Sequence, residues 1–277
     1  MLIERIWADN AGRNFHYLVA CPQTGEALAI DPLNWQACLS RAQELRWSIR
    51  QIFNTHEHAD HTGGNAALVR HTGAVVLAHA DATELIGGVT HALRGGDVVR
   101  VGSSVQLRCL DTPGHTRAHL CLYTPATPGG QPPALFSGDT LFNAGVGNCI
   151  AGGDPQLLYQ SFADCLSGLP DDTRVFPGHE YLLRNLGFTL DREPSNSKAR
   201  QLAQRVTGVA ALDLPVLTLG EEKQVNVFFR LDQPEIIAGV ATLGVAQPGP
   251  PGARTGAPVD ASPRAVFLAL RDLRNRW

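Results

Sequence analysis

Four times along this chain a short apolar run breaks off, and within a few residues a side chain able to bind a metal ion follows. Ile49–Phe53 leads into Asn54-Thr55-His56-Glu57-His58-Ala59-Asp60-His61, and Leu107–Leu110 leads through Thr112-Pro113-Gly114 to His115. Ala134–Phe136 leads through Ser137-Gly138 to Asp139, and Val175–Phe176 through Pro177-Gly178 to His179. Short apolar runs closed by small turn residues read as buried strands. In open α/β sheets, ligand sites gather where strands end and loops begin, so four such ends can converge on one spot however far apart they lie in sequence.

The first of the four is the densest. Three imidazoles and two carboxylates fall within His56–His61, a crowding that is costly without an ion to share; the bland alternative is a solvated, His-rich loop. His56 and His58, two apart, can be aimed at one ion by an extended or turn backbone, and Asp60 and His61 follow at a reach that suits a second. Neutral imidazole and carboxylate suit Zn, Fe or Mn, and no cysteine competes nearby. His119 stands four beyond His115 and heads into Leu120-Cys121-Leu122-Tyr123, which predicts a buried hydrogen-bonding role. His71, His79 and His91 lie outside any ligand spacing and receive none.

Around these motifs the chain reads as alternating strands and helices. Phe15–Cys21 and Ala27–Ile30 form two strands across a Gly25 turn, with Asp31 either orienting the His-rich loop or merely forming a turn before Pro32. Trp35, Leu39, Ala42 and Leu45 at helical spacing predict a helix over 34–46. Asn65–Arg70 reads as helix, Ala74–Ala78 as strand, Ala82–Ile86 as a short helix, and the stretch between Gly87-Gly88 and Gly95-Gly96 as loop. Val98–Val101 and Val105–Leu110 read as paired strands. Asp154-Pro155 opens a helix running to Gly168, with a cap and a proline in its first turn. Beyond His179 the reading turns helical over 181–190, 195–206 and 262–276.

Composition narrows the class of function. A net charge of -3 and a pI near 6.3 leave no electrostatic footprint for nucleic acid or an anionic membrane. No apolar run approaches the ~20 residues that span a bilayer, and Glu4-Arg5 interrupts what a signal peptide would keep apolar. The expectation is a cytoplasmic protein, a monomer or weak homo-oligomer. Cys21, Cys38, Cys109, Cys121, Cys149 and Cys165 form no C-x-x-C pair and read as reduced, mostly core residues.

Taken in order, T-H-x-H-x-D-H at 55–61, P-G-H-T at 113–116, S-G-D-T-L-F at 137–142 and P-G-H-E-Y at 177–181 resemble the metallo-β-lactamase superfamily, and among its members most resemble the glyoxalase II, or hydroxyacylglutathione hydrolase, family. The likeness spans nearly the whole chain. It implies an αββα sandwich of two mixed sheets over residues 1–180 and a mainly helical C-terminal domain over 181–277. It further implies two divalent metal ions, one held by His56, His58 and His115, the other by Asp60, His61 and His179, with Asp139 bridging. Zn is the first expectation, and Fe or Mn the alternatives. Asp139 and Asp60 take the catalytic roles in this reading. Paired ions lower the pKa of a shared water toward neutrality and polarise an acyl carbonyl, and a thioester suits such a site because its thiol leaves readily as an anion. The alternatives within the superfamily are hydrolases of other thioesters, esters or lactones, or a mononuclear iron persulfide dioxygenase.

The expected substrate is a small glutathione thioester. Arg271 and Arg274, three apart on the last predicted helix, share a face; charge pattern alone favours a solvated helix end, but the resemblance implies that they hold the substrate's carboxylates as the family does. Tyr181 matches the family's tyrosine after the final histidine. Asn148 departs from the pattern: where the family has a basic residue and often an aromatic, this chain has Gly145-Val146-Gly147-Asn148-Cys149-Ile150. Residues 247–262, rich in Pro and Gly, read as a disordered linker before the last helix.

Overall fold

The computed structural model describes residues 1–127, 129–242 and 260–277. The expected linker over 247–262 therefore lies outside the described residues except for 260–262. Two mixed sheets face one another. The first has the order β1 (Leu2–Trp7), β2 (Phe15–Ala20), β3 (Glu26–Ile30), β4 (Ser48–Phe53), β5 (Val75–His79), β6 (Val89–Leu93). Its first three strands are antiparallel and β3 to β6 run parallel. The second sheet contains β7 (Val98–Val101), β8 (Val105–Asp111), β9 (Leu120–Thr124) and β10 (Ala134–Gly138), and beyond the small hairpin β11 (Leu141–Phe142) and β12 (Gly145–Val146) it is closed by β13 (Arg174–Pro177), parallel to β10.

Alternation along each strand decides which side chains meet between the sheets. In β2, Phe15, Tyr17 and Val19 turn inward against Leu107, Leu120, Phe136 and Phe176, while Leu18 and Ala20 turn outward toward α1 (Trp35–Glu44) and α3 (Asn65–Thr72). Between those two helices, α2 (Ala59–Thr62) is a single turn that carries Asp60 and His61. On the far side of the second sheet, Cys121, Leu135 and Val175 pack with α4 (Pro155–Gln160) and with helices from the C-terminal part. The C-terminal helices are α5 (Leu182–Arg192), α6 (Ser197–Val206), α7 (Leu219–Val225), α8 (Pro234–Thr242) and α9 (Pro263–Arg276), of which α6 packs in a separate cluster with Leu182 and Leu186. Phe188, Phe228, Phe267 and Leu270 share the core cluster of Leu135 and Val175, so the helical part also forms the outer layer of the sandwich.

Most sequence-predicted elements fall within a residue or two of the observed ones, and three differ. Val89–Leu93, read as loop because glycines frame it, is strand β6, supported by parallel pairing with β5. Ala82–Ile86 is a turn after one 3₁₀ turn at Ala80–Ala82. The helix from Pro155 loosens into a π-helical segment at Ser161–Leu166. No helix among the described residues is long and apolar enough to cross a membrane. All six cysteines are free thiols, four of them buried.

Candidate metal centre

The C-terminal ends of β4, β10 and β13 and the loop after β8 deliver their side chains to one edge of the sandwich. His56, His58 and His115 form one group whose donor atoms lie within 4.8 Å of one another, and Asp60, His61 and His179 form a second. Asp139 stands between them, Oδ2 at 3.4 Å from His115 Nε2 and 3.2 Å from His179 Nε2, Oδ1 at 3.4 Å from His61 Nε2. Glycine makes this closeness possible at two turns. Gly138 adopts φ +47°, and a Cβ on Gly178 would sit 2.4 Å from Asp139 Oδ1.

The outer partners of the imidazoles determine which nitrogen faces inward. His61 Nδ1 lies 2.9 Å from Asp31 Oδ2, His115 Nδ1 2.6 Å from the Asn148 carbonyl, His179 Nδ1 2.6 Å from the Gly12 carbonyl, and His58 Nε2 3.1 Å from the Ala151 carbonyl. Carboxylates and carbonyls only accept, so these nitrogens carry the protons and donate. Thr55 Oγ1 donates to Asp31 and so accepts from His56 Nδ1 at 2.9 Å. In the neutral rings five lone pairs then point at one another. His58 Nδ1 is 3.1 Å from His56 Nε2 and 3.0 Å from His115 Nε2, and His61 Nε2 is 3.2 Å from His179 Nε2. Two acceptors at this distance repel unless a cation lies between them, and it is about the spacing of ligand atoms around an ion bonded at ~2 Å. Asp139 Oδ1 points the same way, for it is buried without a hydrogen-bond donor, a costly state for a carboxylate oxygen that no cation meets.

Without an ion the electrostatics are frustrated. Burial drives the His56 and His115 imidazoles below their ordinary range. Burial also opposes a proton on His61, but Asp139 and Asp31 outweigh it and lift that group to about 9. Asp139 is desolvated, yet His179, His61 and His115 hold it well below the usual carboxylate range. A residue set that wants positive charge at its centre, with neutral donors around it, fits a divalent ion.

Above the metal-capable side chains lies a cavity of about 440 Å³, walled further by Ala59, Phe142, Asn148, Ala151 and Tyr181. Its relatives are clear in sequence. Residues 17–179 match the family model of the metallo-beta-lactamase superfamily, and residues 180–277 that of the hydroxyacylglutathione hydrolase C-terminus. A hydroxyacylglutathione hydrolase from Nitrosococcus oceani is 52% identical over 277 residues, covering 100% of both chains. The chain belongs to the hydroxyacylglutathione hydrolase family. Among solved structures, a metallo-beta-lactamase from Staphylococcus aureus subsp. aureus COL aligns with a TM-score of 0.65 at 25% identity, covering 91% of this chain and 69% of that one. TTHA1623, solved in a di-iron-bound form, aligns with a TM-score of 0.56 at 27% identity over 81% of this chain and 99% of its own.

In this hydroxyacylglutathione hydrolase family member, Tyr181 and Asn148 of the four residues expected to grip substrate line the cavity, whereas Arg271 and Arg274 are not among its lining residues. Tyr181 stacks on His179 with ring centroids 5.1 Å apart and donates its hydroxyl to the Gly12 carbonyl at 2.9 Å. Asn148 lines the opposite wall, its Oδ1 accepting from the Ile150 amide at 3.0 Å. Arg271 and Arg274 share a helix as expected, but their guanidinium groups meet different partners. Arg271 is 4% exposed, and its Nη1 donates to the Val146 and Gly147 carbonyls at 3.2 and 3.0 Å. Arg274 donates to Asn185 Oδ1 at 3.2 Å and lies over the Phe188 and Trp277 rings. No carboxylate pairs with either arginine among the described residues, and burial lowers the Arg271 pKa to about 10.

Several functional contacts escaped the sequence reading. Asn14 donates to the Asp60 carboxylate at 3.1 Å, and the carbonyls of Gly12, Asn148 and Ala151 aim three of the imidazoles. A carbonyl belongs to every residue, so no residue type announces these partners. Asp31 is the exception: its position before Pro32 raised both readings, and the structure has it accepting from Thr55 and His61. His119 is fully buried, its Nε2 accepting the Asp139 amide at 3.2 Å and its Nδ1 meeting the Thr112 and Thr140 hydroxyls.

Proposed function

We propose that this protein hydrolyses S-(2-hydroxyacyl)glutathione thioesters such as S-D-lactoylglutathione, releasing glutathione and a 2-hydroxy acid, with two divalent ions as cofactors. The observation that carries the reading is the set of inward-facing donors in two groups joined by Asp139, in a chain whose relatives match it end to end. His56, His58 and His115 would hold one ion, Asp60, His61 and His179 the other, and Asp139 both. Bound there, the ions would supply a water acidified toward neutral pH and an electrophile for the thioester carbonyl. Zn is the first candidate because the donors are imidazole and carboxylate; the di-iron form of TTHA1623 makes Fe the competing one, with Mn behind it.

The chain's own side chains do the positioning. Asp31 orients His61 and, through Thr55, His56, so a single buried carboxylate aligns one ligand of each group. Asp139 and Asp60 take the catalytic roles, Asp139 because its two oxygens reach ligands of both groups and Asp60 because its half-exposed carboxylate, braced by Asn14, faces the cavity. Tyr181, Asn148, Arg271 and Arg274 contribute the substrate's surroundings, Arg271 chiefly by securing the backbone just before Asn148. We place the boundary between catalytic and helical domains at residue 180, with the substrate mouth where the two meet, and take the protein to be cytoplasmic and a monomer or weak homo-oligomer. Elemental analysis with steady-state hydrolysis of S-D-lactoylglutathione tests the reading. The expected result is close to two ions per chain and activity that chelation removes and metal restores; full activity at one ion per chain would overturn the dinuclear assignment.

A further inference from the structure

A glutathione thioester carries a glutamyl and a glycyl carboxylate, and the residues named so far leave that pair of charges poorly met. This inference rests on the reading above. Asn148 is uncharged and its Oδ1 is turned back to the Ile150 amide. Arg271 is buried beneath the loop and engaged with two of its carbonyls. Arg13, the cation nearest Tyr181 on the N-terminal side, is neutralised by Glu180.

A further cation stands one helical turn beyond Tyr181. α5 starts immediately after Tyr181, whose carbonyl accepts the Asn185 amide at 2.8 Å, so Arg184 lies three residues on, one turn above the tyrosine on the same side. Its side chain is exposed, and among the described residues it has neither a hydrogen-bond nor an ion-pair partner. Arg274 is beside it, bound to the neighbouring Asn185. The charges sense one another. Burial is the first cause that lowers the Arg274 pKa and Arg184 the second. The first turn of α5 holds no acidic residue, although its first amide, that of Leu182, donates to the Glu180 carboxylate at 3.0 Å.

We propose that Arg184 is a specificity-determining residue that receives a carboxylate of the substrate's peptide portion at the Tyr181 side of the mouth, with Arg274 next to it, in place of the basic residue missing at Asn148. The group is remote from the bond that breaks, so it acts on binding more than on turnover.

Steady-state kinetics on metal-loaded wild type, Arg184→Gln and Arg184→Lys test this, with S-D-lactoylglutathione compared against S-lactoyl-N-acetylcysteamine, a thioester without the two carboxylates. For the glutathione thioester, Arg184→Gln is expected to raise KM about five- to tenfold with kcat within about twofold, as the loss of one partly exposed charge contact predicts. Arg184→Lys should recover most of the loss, and 0.5 M salt should narrow the gap. KM for the carboxylate-free thioester should be the same in all three proteins. An unchanged KM for Arg184→Gln, or an equal rise with both thioesters, overturns the inference while leaving the proposed function standing. A wild type that turns over the carboxylate-free thioester but not the glutathione one overturns both.

Discussion

On the floor of the site each imidazole has its outer nitrogen tied to a carbonyl, a hydroxyl or a carboxylate; at the mouth Asn148 is exposed, as is Arg184, proposed above to receive a carboxylate there, which has no hydrogen-bond or ion-pair partner among the described residues. The floor is over-determined because lone-pair nitrogens cannot be held 3.0 to 3.2 Å apart, in one trio and one pair, unless something holds each ring in place. The mouth is loosely determined because long charged side chains keep their solvation and lose entropy only when a ligand arrives. In the proposed function, chemistry is thus lodged where the protein is stiff, and substrate preference where it can change at little cost to folding.

Breaking the floor should cost most. Asp139→Ala is expected to lower kcat/KM by at least ~10³ and to reduce bound metal in elemental analysis, because one carboxylate serves both groups. His91→Ala, on the exposed face of β6, should alter neither. If the two variants behaved alike, the separation of floor from periphery would collapse. One shell further out, Asp31→Ala should reduce metal affinity or activity ~10- to 100-fold, since two ligands lose their orientation. Asp31→Asn, whose residue type tolerates the φ of +50° found there, should fall between. An Asp31→Ala protein with wild-type metal content and rate would show that the rings hold themselves.

Between floor and mouth, Glu222 of α7 accepts from Asn143, the Ala144 amide and Asn226, and so braces the hairpin turn that carries Phe142 into the cavity. Burial, against those three donors, raises its carboxyl from 4.5 to about 7. A folded-state pKa above the unfolded one means that the native state keeps a proton the unfolded state has released. Its stabilising contribution is therefore present below pH ~4.5 and lost as pH rises through about 7. The melting temperature of wild type relative to Glu222→Gln should accordingly decline by roughly 2–6 °C between pH 5 and 8. A pH-independent difference would mean that the hairpin does not depend on that proton. The smallest effect is expected at Asn148→Lys, where a new exposed charge should lower KM for S-D-lactoylglutathione about two- to fivefold. A raised KM would place the substrate's carboxylates elsewhere.

The strands that lead to Asp139 and His179 were legible because apolar runs ended by Gly or Pro have few other readings, and the capped helices at Ser262 and Asp154 because their caps lie next to a first-turn proline. Strand β6 was not, since its order comes from pairing with β5 rather than from its own polar, glycine-framed residues. α7 did carry a local signal, the Thr218–Glu221 capping box, which the reading passed over.

By itself the sequence determined which side chains could bind metal and that each stands at the end of a strand, because residue type and the period of apolar residues are local properties. Only the tertiary structure decided which acceptor turns each imidazole inward, that Arg271 lies under the loop after β12, and that Arg184, one turn on from Tyr181, has no hydrogen-bond or ion-pair partner among the described residues. Those outcomes depend on backbone atoms and on neighbours more than a hundred residues away, as in Arg271 against Gly147, and a backbone carbonyl has the same chemistry at every position of the chain.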